Sequence, residues 1–203
     1  MITSFISFIS YISFISYISF IPFISFISCL ALSAQVAQDT TVPLDTITVR
    51  HVNAEGRDLV GVIVCNRAIT KDLQDIFAEL YRQKYPIERI RPISEYGDDD
   101  ERSMSDNNTS CYCHRTVAGS SKLSKHAQGL AIDINPLYNP CVRRKKDGTL
   151  LIQPSTGKPY ANRRKSFKYK ITRDDLCYRL FLQHGFRWGG AWRTLKDYQH
   201  FER

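Results

Sequence analysis

Two short blocks of residues constrain the fold of this chain more than any other feature. Residues 124–133 read SKHAQGLAID, and residues 197–200, close to the C-terminus, read DYQH. Two imidazoles and one carboxylate, from His126, Asp133 and His200, would supply three ligands to a zinc ion and leave its fourth tetrahedral position open for water. The fold must therefore bring two distant segments of the chain to one point.

The spacing inside the first block supports a shared site. His126 and Asp133 are seven residues apart. The small residues between them, Gly129 and Ala131, allow the chain to turn and pack closely while both side chains converge. Asp133 lies in the apolar run 130–134, which predicts a short buried strand. A buried carboxylate requires a compensating partner, and a metal ion is one such partner; hydrogen bonds from backbone amides are the alternative.

The second block adds a carboxylate with a different role. Asp197 lies three residues before His200, close enough to face the same ion without binding it. We predict that Asp197 is the general base, which accepts a proton from the attacking water and passes it to the leaving amine. The alternative is a carboxylate that orients a metal ligand.

Three further side chains are candidates for binding the substrate. Arg115 offers a charged, bidentate guanidinium that would hold a substrate carboxylate or stabilise the oxyanion, and its alternative is an ordinary surface position. Ser124 would hydrogen-bond the substrate, brace the site or cap a turn. Trp192, which with Trp188 frames residues 189–191, would form a wall of the cleft or stack on the substrate.

The N-terminal segment has the composition of an export signal. Residues 1–38 contain no charged residue or histidine, and a repeat of Ser, Phe or Tyr, and Ile runs through them before a stretch of small residues. We predict a signal peptide over residues 1–34, with an uncleaved membrane anchor or a lipid-modified Cys29 as alternatives. Residues 35–57 are predicted to be a linker with at most one edge strand.

The charge of the chain lies beyond this leader. The net charge is +8 over 203 residues, and ten Lys and Arg residues cluster in residues 142–170, an exposed basic insertion in a single domain over residues 58–203. This balance favours anionic surroundings: nucleic acid, acidic lipid head groups or anionic polymers of a bacterial envelope. Tyr160, Phe167 and Tyr169 could stack on bases, but no recognised binding motif surrounds them, so no nucleic-acid partner is expected.

Apolar periodicity predicts two helices in the domain. The first begins at Thr70, which is placed to cap it, and ends before Pro86. The second follows a capping box at residues 172–175 and ends near Gly185. Residues 97–110 are polar and predict a loop.

The cysteines and the remaining histidines do not predict a second metal site as clearly as the two blocks predict the first. Five cysteines follow the leader, so at most two intramolecular disulfides can form, and their pairing cannot be deduced from sequence. Cys111, Cys113 and His114 with a distant cysteine would form a rival, structural zinc site, but a second close ligand pair is missing. His51 and His184, like His114, have no partner at ligand spacing and are expected to be structural.

The two blocks resemble the zinc peptidases of bacterial cell-wall peptides, which include VanY-type D-alanyl-D-alanine carboxypeptidases and L-alanyl-D-glutamate endopeptidases. The shared pattern is S-x-H-x-x-G-x-A-x-D followed by D-x-x-H, and the resemblance covers roughly residues 60–203. The carboxypeptidases usually carry Glu where this chain has Asp197, whereas the endopeptidases use Asp and end with W-G-G-x-W and H-F. Residues 188–192 (WGGAW) and 200–202 (HFE) therefore resemble the endopeptidase branch.

This resemblance implies a small α+β domain whose antiparallel sheet carries the zinc, a fold also seen in hedgehog-type proteins. It implies a zinc-dependent peptidase that hydrolyses peptidoglycan stem peptides in the periplasm or cell envelope. A non-catalytic, zinc-containing wall-binding module is the first alternative, and the presence of Asp197 argues against it. A basic nucleic-acid-binding protein is the second.

Overall fold

The computed structural model describes residues 42–117 and 120–203. The leader predicted over residues 1–34, with Cys29, lies outside the described residues, and no described helix is long and apolar enough to cross a membrane. The described strands are β1 (Leu44–Val52), β2 (Asp58–Asn66), β3 (Arg89–Ile90), β4 (Asn108–Thr109), β5 (Ala131–Asp133), β6 (Cys141–Arg144), β7 (Leu150–Gln153), β8 (Arg187–Trp188), β9 (Leu195–Asp197) and β10 (His200–Glu202). The α-helices are α1 (Thr70–Arg82), α2 (Asp100–Ser105) and α3 (Leu176–Gln183). Helices and mainly antiparallel sheets give an α+β architecture.

An antiparallel hairpin of β1 and β2 opens the described domain. Residues 44–52, within the segment predicted as a linker with at most one edge strand, form β1, which is an edge strand and pairs with β2 along its whole length. Alternation with a period of two buries Ile47 and Val49 in the hydrophobic core, which is why this part of the predicted linker joins the domain.

α1 packs its apolar face on this hairpin. The helix begins at Thr70 and ends at Arg82, before Pro86, as predicted. Thr70 is not its cap, because the hydroxyl donates to Asp45 Oδ2 at 2.9 Å. Asn66 instead caps the preceding 3₁₀ turn through its side-chain oxygen. The buried face of the helix consists of Leu73, Ile76, Phe77 and Leu80.

Residues 97–110 do not form the polar loop predicted from their composition. Asp99 caps α2 by accepting a hydrogen bond from Arg102 N at 3.0 Å, and Met104 on this helix is buried. The helix has six residues, too few to show a helical period in the sequence, so the prediction is wrong for this segment.

Two small antiparallel sheets carry the two sequence blocks. The first has the strand order β5-β10-β8, and in it Asp133 pairs with His200. The second has the order β7-β6-β9, and in it Asp197 pairs with Cys141. The run 130–134 therefore contains a buried strand, as predicted, and its partner is the strand closest to the C-terminus.

α3 closes the hydrophobic core behind the first of these sheets. The helix ends before Gly185, as predicted, but its cap is Asp175 and not Thr172, so the predicted capping box is not formed. Phe181 of α3 stacks on Phe201 of β10 with ring centroids 4.3 Å apart. Because Phe201 is held in the core, the side chains before and after it project from the other face of β10.

The basic segment 142–170 is integrated into the domain more closely than an exposed insertion would be. Its first part forms the β6-β7 hairpin, where Lys145 and Lys146 at the turn are exposed. Arg163 is half-buried, and its guanidinium donates hydrogen bonds of 2.8–3.0 Å to oxygens of Tyr138, Asn139 and Ile171. At least one cation of this segment, Arg163, therefore binds other parts of the protein and is not available to an external anion.

The cysteines of the described residues are free thiols. No disulfide joins any two of those at positions 65, 111, 113, 141 and 177, of which all but Cys141 are buried.

Candidate metal centre

His126, Asp133 and His200 form a buried triangle of donor atoms. His126 Nε2 and His200 Nδ1 are 3.1 Å apart. Asp133 places Oδ2 at 3.4 Å from His126 Nε2 and Oδ1 at 3.2 Å from His200 Nδ1. A tetrahedral zinc ion with ligand bonds of about 2.0–2.1 Å requires donors about 3.3 Å apart. The two imidazole nitrogens therefore have a spacing close to that of zinc ligands, and each has one oxygen of the Asp133 carboxylate at a similar distance.

Strand register and one tight turn produce this convergence. Pairing of β5 with β10 sets Asp133 directly opposite His200. His126 comes from the 3₁₀ turn His126–Gln128, which ends at Gly129 with φ of 65°. A Cβ at Gly129 would lie 2.6 Å from Asn66 N, so both its left-handed conformation and its close contact require glycine.

Each imidazole is oriented by a hydrogen bond from its other nitrogen. His126 Nδ1 lies 2.7 Å from Cys111 O, so it is the donor there and Nε2 is left for a metal. His200 Nε2 lies 3.3 Å from Glu202 Oε2, which leaves Nδ1 for a metal. Arg187 in turn donates to Glu202 at 2.7 Å. Such contacts fix the tautomer and the ring orientation of metal-binding histidines.

Glu202 has no assigned role in the sequence analysis. The signal that could have found it is its position two residues after His200 in a strand, because alternate residues of a strand share one face. A carboxylate at that position is the usual partner of a metal-bound imidazole.

The electrostatics of the triangle suit a bound cation. Burial would raise the pKa of Asp133, but the charge and hydrogen bonds of His126 and His200 outweigh it and hold that pKa well below its usual range. Burial lowers the pKa of His200, yet hydrogen bonds to Asp133 and Glu202 prevail and raise it to about 10. The carboxylates thus draw positive charge to this point, and a zinc ion between the donors would supply it.

Asp197 lies beside the triangle without entering it. A Cβ built at Gly189 would lie 2.8 Å from Asp197 Cβ and 3.2 Å from His200 Cβ, which places the two side chains close together. Asp197 Oδ1 is buried and has no hydrogen-bond partner among the described residues. Burial is the main cause that raises the pKa of Asp197 to about 6.

Arg115 is held by an acidic residue that the sequence analysis assigned to a loop. Its Nε lies 2.8 Å from Asp100 Oδ2 on the first turn of α2. Burial would lower the pKa of Arg115, but nearby carboxylates, Asp100 first and then Asp133, raise it. Arg115 therefore belongs to the group of charges around the triangle.

The two remaining predicted residues differ in placement. Ser124 is buried, and its Oγ accepts a hydrogen bond from Ala127 N at 3.1 Å, so it caps the turn that carries His126. The ring of Trp192 lies 5.2 Å from the ring of His200 and is partly exposed. Trp192 therefore lines the mouth of the site.

Among the described residues, one group has the geometry to hold a metal, and it consists of His126, Asp133 and His200. The rival cysteine site is not formed, since Cys111 Sγ donates to Gly129 O at 3.4 Å instead. Two histidines expected to be structural have protein partners: His51 bonds Ile87 O, and His184 bonds Asp72. His114 is exposed.

One comparison with known proteins finds a similarity that covers the site. A family model described as D-alanyl-D-alanine carboxypeptidase matches residues 118–203, a range that contains the donor triangle and Asp197. Neither a curated protein nor a solved structure matches the chain. This range, 86 of the 203 residues, is thus similar to the D-alanyl-D-alanine carboxypeptidase family, which supports the resemblance to VanY-type peptidases.

Proposed function

We propose that this protein hydrolyses one peptide bond in the stem peptides of peptidoglycan, with a zinc ion as its cofactor. The observation that carries the proposal is the donor triangle with the buried carboxylate of Asp197 beside it, whose Oδ1 has no hydrogen-bond partner among the described residues. A purely structural zinc site would use four protein ligands, whereas this one offers three. A bound zinc ion with an open position acidifies a water molecule and polarises a substrate carbonyl.

Asp197 carries the proton transfer in this proposal. Its Oδ1 makes no hydrogen bond to a described residue and is available to accept a proton from the attacking water. A pKa of about 6 leaves the carboxylate ionised at neutral pH. Because that pKa lies close to neutrality, the protonated form can also pass the proton to the leaving amine.

Arg115 and Trp192 act on the substrate in this proposal. Asp100 fixes Arg115 through Nε, and the two terminal amino groups of the guanidinium stabilise negative charge on the carbonyl oxygen. Trp192, packed beside His200, forms a wall against which the peptide lies. Ser124 supports the turn of His126 and does not contact the substrate.

Two bonds of the stem peptide are candidates for cleavage. The family description favours the terminal D-alanyl-D-alanine bond. Asp197 and the segments 188–192 and 200–202 favour the L-alanyl-D-glutamate bond, because they resemble the endopeptidase branch. We propose the hedgehog-type fold for the domain and, from the composition of the leader, action in the periplasm or cell envelope, with attachment through the N-terminus as the alternative.

Mass spectrometry of peptidoglycan fragments incubated with the zinc-loaded protein tests the proposal. Loss of terminal D-Ala identifies a carboxypeptidase, and a new D-Glu amino terminus identifies an endopeptidase. The Asp197→Ala variant should retain zinc and lose turnover, whereas His126→Ala and His200→Ala should lose the metal, as measured by elemental analysis. Unchanged hydrolysis by Asp197→Ala would exclude it as the base. The absence of any variant-dependent cleavage would favour a non-catalytic wall-binding module.

A further inference from the structure

We propose that Arg143 binds a free carboxylate on the substrate residue that follows the scissile bond. The inference rests on the proposed peptidase function and assigns a specificity-determining residue to the same site. It concerns a side chain in the basic segment, for which neither the sequence motifs nor the family match supplies a role.

Strand register places Arg143 on the face of the sheet that carries the predicted base. Cys141 of β6 is directly opposite Asp197 of β9, and Arg143 is opposite Leu195. Residues two apart in a strand share one face, so Cys141 and Arg143 lie on the side of Asp197. Two residues of an antiparallel strand span about 7 Å, a distance that the long arginine side chain can reach across toward a group bound beside Asp197.

The charges around Cys141 agree with this placement. Burial is the main cause that raises the pKa of the Cys141 thiol, and the next is the carboxylate of Asp197, whereas Arg143 acts in the opposite direction. A cation and a carboxylate that act on the same thiol from one sheet face lie in one local environment. Arg143 is therefore near the base without being its ion-pair partner.

On the sheet face shared with Asp197, the guanidinium of Arg143 is available to bind a ligand. It is half-buried, and among the described residues it forms neither an ion pair nor a side-chain hydrogen bond. Three other arginines are engaged: Arg115 with Asp100, Arg163 with backbone and amide oxygens, and Arg144 with Gly148 O. A partly desolvated guanidinium without a partner favours a carboxylate ligand, which it can bind through two N–H groups.

Both candidate substrates present such a carboxylate at the same place. In a D-alanyl-D-alanine terminus, the residue after the scissile bond carries the C-terminal carboxylate. In an L-alanyl-D-glutamate sequence joined onward through the side chain, the D-glutamate carries a free α-carboxylate. Arg143 would serve either reaction, so the inference does not depend on which bond is cut.

Pairs of peptides that differ only at this carboxylate test the proposal. One member carries D-glutamate or a terminal D-alanine, and the other carries the corresponding amide. The wild type should prefer the acid in kcat/KM by about 10- to 100-fold, the range of a charge-assisted hydrogen bond. Arg143→Gln should remove that preference through a higher KM on the acid, with kcat/KM on the amide unchanged. Arg143→Lys should retain part of the preference, because the charge remains and the bidentate contact is lost.

Arg144→Gln is the matched control, since Arg144 is the next residue on the opposite, exposed face of the same strand. It should keep the wild-type preference. An acid-to-amide ratio in Arg143→Gln equal to that of the wild type would overturn the inference, and so would an equal loss on both peptides, which indicates a structural role. If the wild type cleaved neither peptide of any pair, the proposed function would fall and this inference with it.

Discussion

His200 Nε2 and Glu202 Oε2 lie 3.3 Å apart on one face of β10. His200 Nε2–H donates a hydrogen bond to this carboxylate, which leaves Nδ1 without a proton and facing the centre of the donor triangle. Arg187, at 2.7 Å from Glu202, holds the carboxylate in place. The tautomer of one metal ligand is thus set by a residue next to it in the strand but outside the ligand set.

Replacing Glu202 should weaken metal binding without removing a ligand. Glu202→Ala is expected to lower zinc affinity about 10- to 100-fold, the usual effect of losing a partner that orients a metal-binding histidine. Competition with a chromophoric chelator measures this. Glu95→Ala, at an exposed carboxylate that pairs with Arg91, is the control. Equal affinities in the wild type and Glu202→Ala would contradict the orienting role.

Asp197→Asn should abolish turnover and stabilise the metal-free protein at neutral pH. The folded-state pKa of about 6 exceeds the reference value of 3.8, so the folded state binds more protons than the unfolded state between these values. Stability therefore falls as pH rises through this window, and the penalty above pH 6 is up to about 3 kcal/mol. Asn removes that penalty.

Scanning calorimetry of the metal-free protein measures the change. A rise in Tm of several degrees is expected at pH 7, since about 1 kcal/mol corresponds to roughly 2–4 °C for a domain of this size. The rise should vanish below about pH 3, where Asp197 is protonated in both the folded and the unfolded state. A lower Tm for Asp197→Asn at pH 7 would show that the carboxylate is not strained by burial.

The pH dependence of turnover should report the same carboxylate. If Asp197 is the base, kcat/KM falls about tenfold per pH unit below the pKa of Asp197, because the protonated form cannot accept a proton. That pKa is about 6 in the metal-free site, and a zinc ion beside the carboxylate lowers it. Burial chiefly raises this pKa and the Cys141 thiol lowers it, so Cys141→Val should move the acid limb to higher pH. Zinc content measured at each pH separates this effect from metal loss. An acid limb that stays in place in Cys141→Val would argue against their contact.

Gly189→Ala should displace the base from the metal centre. The added Cβ would lie 2.7 Å from Asp197 O and 2.8 Å from Asp197 Cβ, and backbone must move to admit it. Overpacking of this kind costs about 1–3 kcal/mol of stability. A shift of about 1 Å in a reacting group lowers turnover by about 100-fold.

Steady-state kinetics and denaturant unfolding of Gly189→Ala measure both effects. Ala191→Ser, at an exposed position two residues away, is the control and should behave as the wild type. A Gly189→Ala protein with full activity would mean that the position of Asp197 beside His200 is not needed for the reaction.

Local sequence was sufficient for the chemistry of the candidate site. The ligand types at His126, Asp133 and His200 and the extra carboxylate at Asp197 are properties of two short blocks, and a buried strand around Asp133 follows from its apolar neighbours. The bounds of α1 also followed from local signals, because thirteen residues are long enough to show a helical period.

Tertiary structure alone decided which distant residues complete the site. The pairing of β6 with β9 sets Cys141 opposite Asp197, and the docking of α2 brings Asp100 to Arg115. Neither contact leaves a periodic trace in the sequence, because register between distant strands depends on how the whole core packs. α2 is too short to show a helical period in the sequence. β1 is part of the domain because its apolar side chains are buried in the core with those of α1. The sequence determined which chemical groups this protein has, and long-range packing determined which of them meet.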